Sequence, residues 1–126
     1  MHIVSLVLAA LAAVIHVVIF ALESLMWTSA RARRIFGTSL DEARATQQLA
    51  FNQGFYNLFL AIVTAAGIAF VLAGPLPVGA ALLFAGAGSM AAAALVLFLS
   101  APDKRGAALK QGVLPLLSVL ALAIAL

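Results

Sequence analysis

The side chains able to do chemistry in this sequence are few: His16, Glu23 and Trp27 in the first long apolar run, Asn52, Gln53, Tyr56 and Asn57 in the next, and Gln111 in the last. An ionisable group inside hydrocarbon costs roughly 3 kcal/mol unless it is paired or hydrated, so Glu23 is the leading candidate for function. His16 adds an imidazole able to accept, donate or transfer a proton. The amides and the phenol orient a ligand's polar end well but are weak acids and bases, so the cluster points to recognition before reaction. If there is chemistry, the catalytic candidates are His16 and Glu23 as acid and base, with Tyr56 as a donor to a developing oxyanion. Each has a plainer reading beside it. Glu23 can bond to Asn52 or Gln53 and hold the bundle together, His16 can be a neutral packing residue, and amides are an ordinary interhelical device. A single His and a single Glu with no third ligand make a poor metal site, and no cofactor is implied.

These residues need elements to position them, and the composition dictates which. With 66% hydrophobic and 9% charged residues, 126 residues are too apolar for a soluble domain. Residues 1–22, 45–102 and 111–126 carry no Asp, Glu, Lys or Arg; these are membrane-length runs. The seven basic residues are too few and too scattered for a nucleic-acid face. The absence of cysteine removes disulfides and thiolate chemistry. The spacing predicts an all-α, four-transmembrane-helix bundle in one domain, with spans at about 3–27, 45–73, 78–100 and 107–126. The first span lacks the basic start of a secretory signal and is expected to be retained. Gly74-Pro75-Leu76-Pro77 sets a hairpin turn, and Pro115 is expected to kink the last span. Thr38-Ser39-Leu40-Asp41-Glu42 reads as a helix start, so the second helix begins before the membrane. Arg31, Arg33, Arg34 and Arg44 in the first loop, and Lys104, Arg105 and Lys110 around the third, place both loops in the cytoplasm and both termini outside. The location expected is the inner (plasma) membrane, with the basic loop against anionic lipid.

Small residues recur every fourth position at Ala61, Ala65, Ala69 and Ala73 and at Ala81, Ala85, Ser89 and Ala93, which predicts a close-packed hairpin of the second and third spans. Self-association through such a seam is the minority alternative. At 1.5 Å of rise per residue, Glu23, Asn52 and Gln111 sit roughly 6 Å inside the cytoplasmic boundary, Tyr56 and Asn57 roughly 12 to 14 Å, and His16 roughly 16 Å. His16 and Glu23 are seven apart on one stripe, with Trp27 one turn further. Asn52, Gln53, Tyr56 and Asn57 cover a wedge of roughly 140°. The polar groups thus converge in the cytoplasmic half, and the outer half is almost wholly apolar.

The block Asn52-Gln53-Gly54-Phe55-Tyr56-Asn57, followed by Phe59-Leu60-Ala61, resembles the NQGxYNxFLA signature of the DUF1304 family of small four-helix bacterial membrane proteins. His16 with Glu23 and Trp27 is similar to that family's first helix, Arg33 through Phe36-Gly37 to its basic loop, and Gln111-Gly112 with Pro115 to the start of its fourth helix. The family's first helix often carries an acidic residue just before the His, where this chain has Ile15. The resemblance implies the fold and points to the same residues, and the family's function is itself unknown. The plan is more loosely similar to the MAPEG and EXPERA groups of four-helix membrane enzymes, an analogy of fold alone. The Asn-x-x-x-Glu and Arg patterns expected for glutathione handling are not present on the second helix.

Three functions compete. The first is a cytoplasm-facing pocket that binds, with or without processing it, a lipid-like or amphipathic small molecule through His16, Glu23, Trp27, Asn52, Gln53, Tyr56, Asn57 and Gln111. The second is an accessory or structural subunit in which the amides fix packing. The third, and weakest, is a small proton-coupled transporter akin to small multidrug-resistance exporters, which the one-sided charge bias and the apolar outer half disfavour.

Overall fold

The computed structural model describes all 126 residues, Met1–Leu126. Helix α1 (His2–Phe20) continues into a π-helical turn at Ala21–Leu25; a short α2 (Ala30–Phe36) follows, then α3 (Leu40–Ala73), α4 (Leu76–Ser100) and α5 (Arg105–Ala125), the last entered through a 3₁₀ turn at Pro102–Lys104. Four segments, His2–Leu25, Leu40–Ala73, Leu76–Ser100 and Pro102–Ala125, are long and apolar enough to cross a bilayer. The chain is therefore an all-α membrane protein. The long helices form a ring in which α1 and α4 each pack against both α3 and α5, while α1 and α4 themselves barely touch. Short connections make every neighbouring pair antiparallel. One end of the bundle, the loop end, carries α2 and the α4–α5 connection. The other, the hairpin end, carries both termini and the α3–α4 turn.

The boundaries follow from capping chemistry. Ser39 accepts a hydrogen bond from Glu42 N at 3.1 Å and starts α3, with Asp41 and Glu42 in the first turn. At 34 residues, α3 is about 51 Å long, against a hydrocarbon core of ~30 Å, so its first turns stand clear of the membrane. The basic loop, expected only as an interfacial segment, contains a helix. Ser29 accepts from Ala32 N at 3.2 Å to start α2, and Gly37, in the left-handed region at φ 67°, ends it.

Two expectations need correcting. α1 ends at Leu25 and not at Trp27, because the chain leaves helical geometry at Met26, where φ is −133°. α4 begins at Leu76, since Pro77 in a first turn has no donor to lose. α5 runs unbroken through Pro115.

The helix seam also differs. Ala65, Ala69, Ala73, Ala81, Ala85 and Ser89 are exposed on the bundle surface, Ala93 lines an internal space instead, and of the two expected stripes only Ala61 is buried. The α3–α4 contact uses a neighbouring stripe, where Gly79 lies against the Val71 backbone and Gly86 against Thr64. Glycine allows a closer approach there than the alanines one position away. At the hairpin end, Ala9, Ala80, Leu83 and Leu122 form a tight cluster. Just beside it, Ser5 Oγ donates to Ser118 O at 3.0 Å and Ser118 Oγ donates to Ser5 O at 2.9 Å, so two of the few polar groups of this half tie α1 to α5.

Candidate functional site

Between the four long helices, in the loop half, lies a chamber of about 220 Å³. Its polar wall is His16 and Glu23 from α1, Gln53 and Asn57 from α3, Gln111 from α5 and Lys104 from the 3₁₀ turn; Trp27 and Phe36 roof it. The floor, toward the hairpin end, is apolar: Leu60, Met90, Ala93 and Leu97.

Each polar group is held by its own element. His16 is buried, and its Nδ1 lies 2.9 Å from Ala12 O one turn back. A carbonyl oxygen only accepts, so Nδ1 is the donor, and in the neutral ring Nε2 is left with its lone pair available to the chamber. Glu23 sits on the wide π turn, 8% exposed, and Asn57 Nδ2 donates to its Oε1 at 2.5 Å. This bond crosses from α1 to α3. Single wide turns of this kind are frequent at functional sites. Here the turn falls at a close approach of α1 to α3: Ser24 Oγ donates to Phe51 O at 2.8 Å, and Gly54 faces Ser24 N and Phe20 O.

The chamber opens at the loop end. A wider vestibule of about 570 Å³ shares Glu23, Trp27, Gln53 and Lys104 with it and continues past Thr38, Glu42 and Thr46. The rim is braced. Trp27 Nε1 donates to Thr46 Oγ1 at 3.1 Å, and that hydroxyl donates to Glu42 O at 2.7 Å. Trp27 packs on Phe36 with ring centroids 5.3 Å apart, and Lys104 Nζ donates to Phe36 O at 2.5 Å and Gly37 O at 3.3 Å, clamping the end of α2 across the entrance. Its contact with Asp103 at 3.9 Å is at the surface and adds little.

Of the eight side chains singled out from the sequence, the structure brings six to one space: His16, Glu23, Trp27, Gln53, Asn57 and Gln111. It leaves out Asn52 and Tyr56. Gln53, Asn57 and Leu60 form the chamber stripe at i, i+4 and i+7, and a residue one position before such a stripe points about 100° away. Asn52 is accordingly exposed and its Nδ2 donates to Gln48 O at 3.2 Å, within its own helix. Tyr56 is 67% exposed on the outer surface. The proposed oxyanion donor therefore has no place in the chamber. On that outer side Phe20, Phe51, Phe55 and Phe59 make an aromatic ladder, with centroid separations of 5.0 Å for Phe20–Phe55 and 5.1 Å for Phe51–Phe55.

Sequence reasoning missed Phe36 and Lys104 as wall residues. Lys104 carries no local signal, since its charge reads as topology. Phe36 does carry one: it is an aromatic just before a glycine helix stop in an otherwise basic segment, the pattern of an inward anchor. No group of three or more His, Cys, Asp or Glu side chains is arranged to hold a metal ion.

The family described as Protein of unknown function (DUF1304) matches residues 10–123, and the chain belongs to it. No curated protein and no solved structure matches the chain.

Proposed function

We propose that the protein binds the polar end of a lipid-like or amphipathic small molecule in the chamber, with the loop end facing the cytoplasm and the protein in the inner (plasma) membrane. The observation that carries this reading is the enclosure of His16, Glu23, Gln53, Asn57 and Gln111 around one space that opens past a polar vestibule and ends on an apolar floor. Helix packing alone needs polar groups paired with one another; it does not need them arranged around a void. The basic residues of α2 and the α4–α5 connection support the orientation. Closure of the hairpin half by the Ala9, Ala80, Leu83 and Leu122 cluster supports a dead-end pocket over a transport path. His16 and Glu23 supply acid-base capacity about 10 Å apart along α1, enough separation to hold two ends of one polar head.

The second reading, an accessory subunit whose polar residues fix packing, is favoured by one observation, the short Asn57 to Glu23 bond between α1 and α3. One experiment separates the two. The wild type, Glu23→Gln and Asn57→Ala are purified in mild detergent and inspected by native mass spectrometry. The pocket reading expects a co-purifying molecule that both variants lose. An empty wild type together with strongly destabilised variants would leave the structural reading in its place.

A further inference from the structure

An apolar groove of about 210 Å³ runs between α1 and α5 on the bundle's outer surface. It follows α1 from Val14 to Leu22, about 12 Å, against roughly 15 Å for the hydrocarbon of one leaflet. The opening is local, since the reciprocal Ser5 and Ser118 bonds hold the same two helices together at the hairpin end. Ile35 of α2 closes the groove at the loop end, and Lys110 of α5 is the one charged residue in its lining. None of the chain's four carboxylates, Glu23, Asp41, Glu42 and Asp103, lines it. The groove between α1 and α3, about 330 Å³, is by contrast lined by seven apolar side chains and no charge.

Lys110 is exposed and lies five residues into α5, about 7.5 Å from its start. Helical side chains lean toward the N-terminus of their helix, which for α5 is the loop end. The stem of Lys110 therefore runs along the groove toward the headgroups, and its ammonium emerges there. Arg31 comes from the other side of the mouth, one turn before Ile35 on the same face of α2, with Arg34 flanking it. All three cations are exposed and none is in an ion pair; the ion pair of this end is Lys104 with Asp103. A basic mouth above an apolar slot between two spans matches a phosphate above an acyl chain.

We propose that this groove binds one anionic glycerophospholipid from the leaflet at the loop end, with its phosphate on Lys110 and Arg31 and one acyl chain along Val14, Val18 and Leu22. The site is separate from the chamber, with Phe36, Ala107 and Gln111 as the partition between them. It also bears on the chamber's entrance: Ile35 meets the lipid and the next residue, Phe36, roofs the chamber, so a bound lipid steadies α2 across the opening.

The test uses the full chain, delipidated in one nonionic detergent. It is titrated with phosphatidylglycerol and phosphatidylcholine of identical palmitoyl and oleoyl chains, and with oleate, and bound copies are counted by native mass spectrometry. The expected result is one phosphatidylglycerol per chain, bound at least about tenfold more tightly than phosphatidylcholine. Lys110→Met should cut that preference about fivefold and Lys110→Arg should keep it. Arg105→Met should keep it too, because Arg105 lies over Phe98 at the neighbouring α4–α5 groove. Ile15→Phe fills the groove from a half-buried position and should weaken both phospholipids while leaving the head preference intact. Equal binding of the two phospholipids, a preference unchanged in Lys110→Met, or an equal loss in Arg105→Met overturns the inference. Oleate bound as tightly as phosphatidylglycerol overturns it as well and gives the groove to a fatty-acid carboxylate. The groove lipid should stay in Glu23→Gln, which removes only the chamber's ligand; loss of phosphatidylglycerol in that variant would make it the chamber's occupant and leave the groove without one.

Discussion

Gly54 is where the geometry of the chamber meets the packing of the bundle, and Gly54→Ala is the sharpest perturbation of both. A Cβ at this position would overlap Ser24 Oγ and lie 3.0 Å from Ser24 N and 3.1 Å from Phe20 O. The hydroxyl can turn aside only by giving up its 2.8 Å bond to Phe51 O, a loss of about 1 kcal/mol. The two backbone contacts remain, and α1 must move away from α3 by a few tenths of an ångström. Overpacking of this kind costs about 1 to 3 kcal/mol. Alanine returns about 1 kcal/mol of helix propensity, so the net loss expected is about 2 kcal/mol. Gly88 supplies the control, because a Cβ there meets nothing within 4 Å, and Gly88→Ala should be neutral or slightly stabilising. Thermal unfolding of the three proteins in one detergent reads the difference. The same shift stretches the Asn57 to Glu23 bond, so Gly54→Ala should also lose any co-purified ligand. If Gly54→Ala melts at or above Gly88→Ala, the close approach of α1 and α3 is not what positions Glu23.

Asn57→Ala leaves a Glu23 oxygen without its donor inside the bundle and should cost about 1 to 3 kcal/mol; a double-mutant cycle with Glu23→Gln should give a coupling of about 1 kcal/mol, and additivity would mean that the bond is energetically idle. Ser39→Ala removes the cap of α3 and should lower stability by about 1 kcal/mol, with faster amide exchange confined to residues 40–44. Lys104→Met frees the Phe36 and Gly37 carbonyls, and hydrogen exchange across α2 should accelerate by about tenfold or more, leaving α3 and α4 unchanged. Protection of α2 equal to the wild type would show that Trp27 and Phe36 hold it without the clamp.

The architecture was legible because hydrocarbon imposes it. Charge-free runs of bilayer length separated by Pro-Leu-Pro and by basic loops leave few alternatives to four spans, and Ser39 with Asp41 and Glu42 marks a helix start by local chemistry alone. Depth was legible only in part: a constant rise per residue gathered His16, Glu23, Asn57 and Gln111 in one half of the bundle, yet it set Asn57 roughly 6 to 8 Å deeper than Glu23 and offered Asn52 or Gln53 as Glu23's partner, where the structure pairs Glu23 with Asn57. Rotation was not. The sequence offers alanine and glycine stripes one position apart on α3 and α4, both small enough to pack, and only the closer approach permitted by Gly79 and Gly86 decides between them. The same ambiguity of about 100° moved Asn52 and Tyr56 out of the chamber while keeping Gln53 and Asn57 in it. The clamp of Lys104 on α2 joins residues 68 apart in the chain and has no local signature.

The proposed chamber should be wet from the loop end and sealed toward the hairpin end. The chain has no cysteine, so single-cysteine variants report without background. Gln53→Cys samples the vestibule, Ala93→Cys the chamber floor and Leu83→Cys the sealed cluster beyond it. With a small membrane-impermeant thiol reagent supplied from the loop side, labelling should be fast at Gln53→Cys, slower but complete at Ala93→Cys, and absent at Leu83→Cys. An unreactive Ala93→Cys would make the chamber dry and its polar residues structural, and a Leu83→Cys that labels as readily as Ala93→Cys would replace the closed pocket with a path through the bundle.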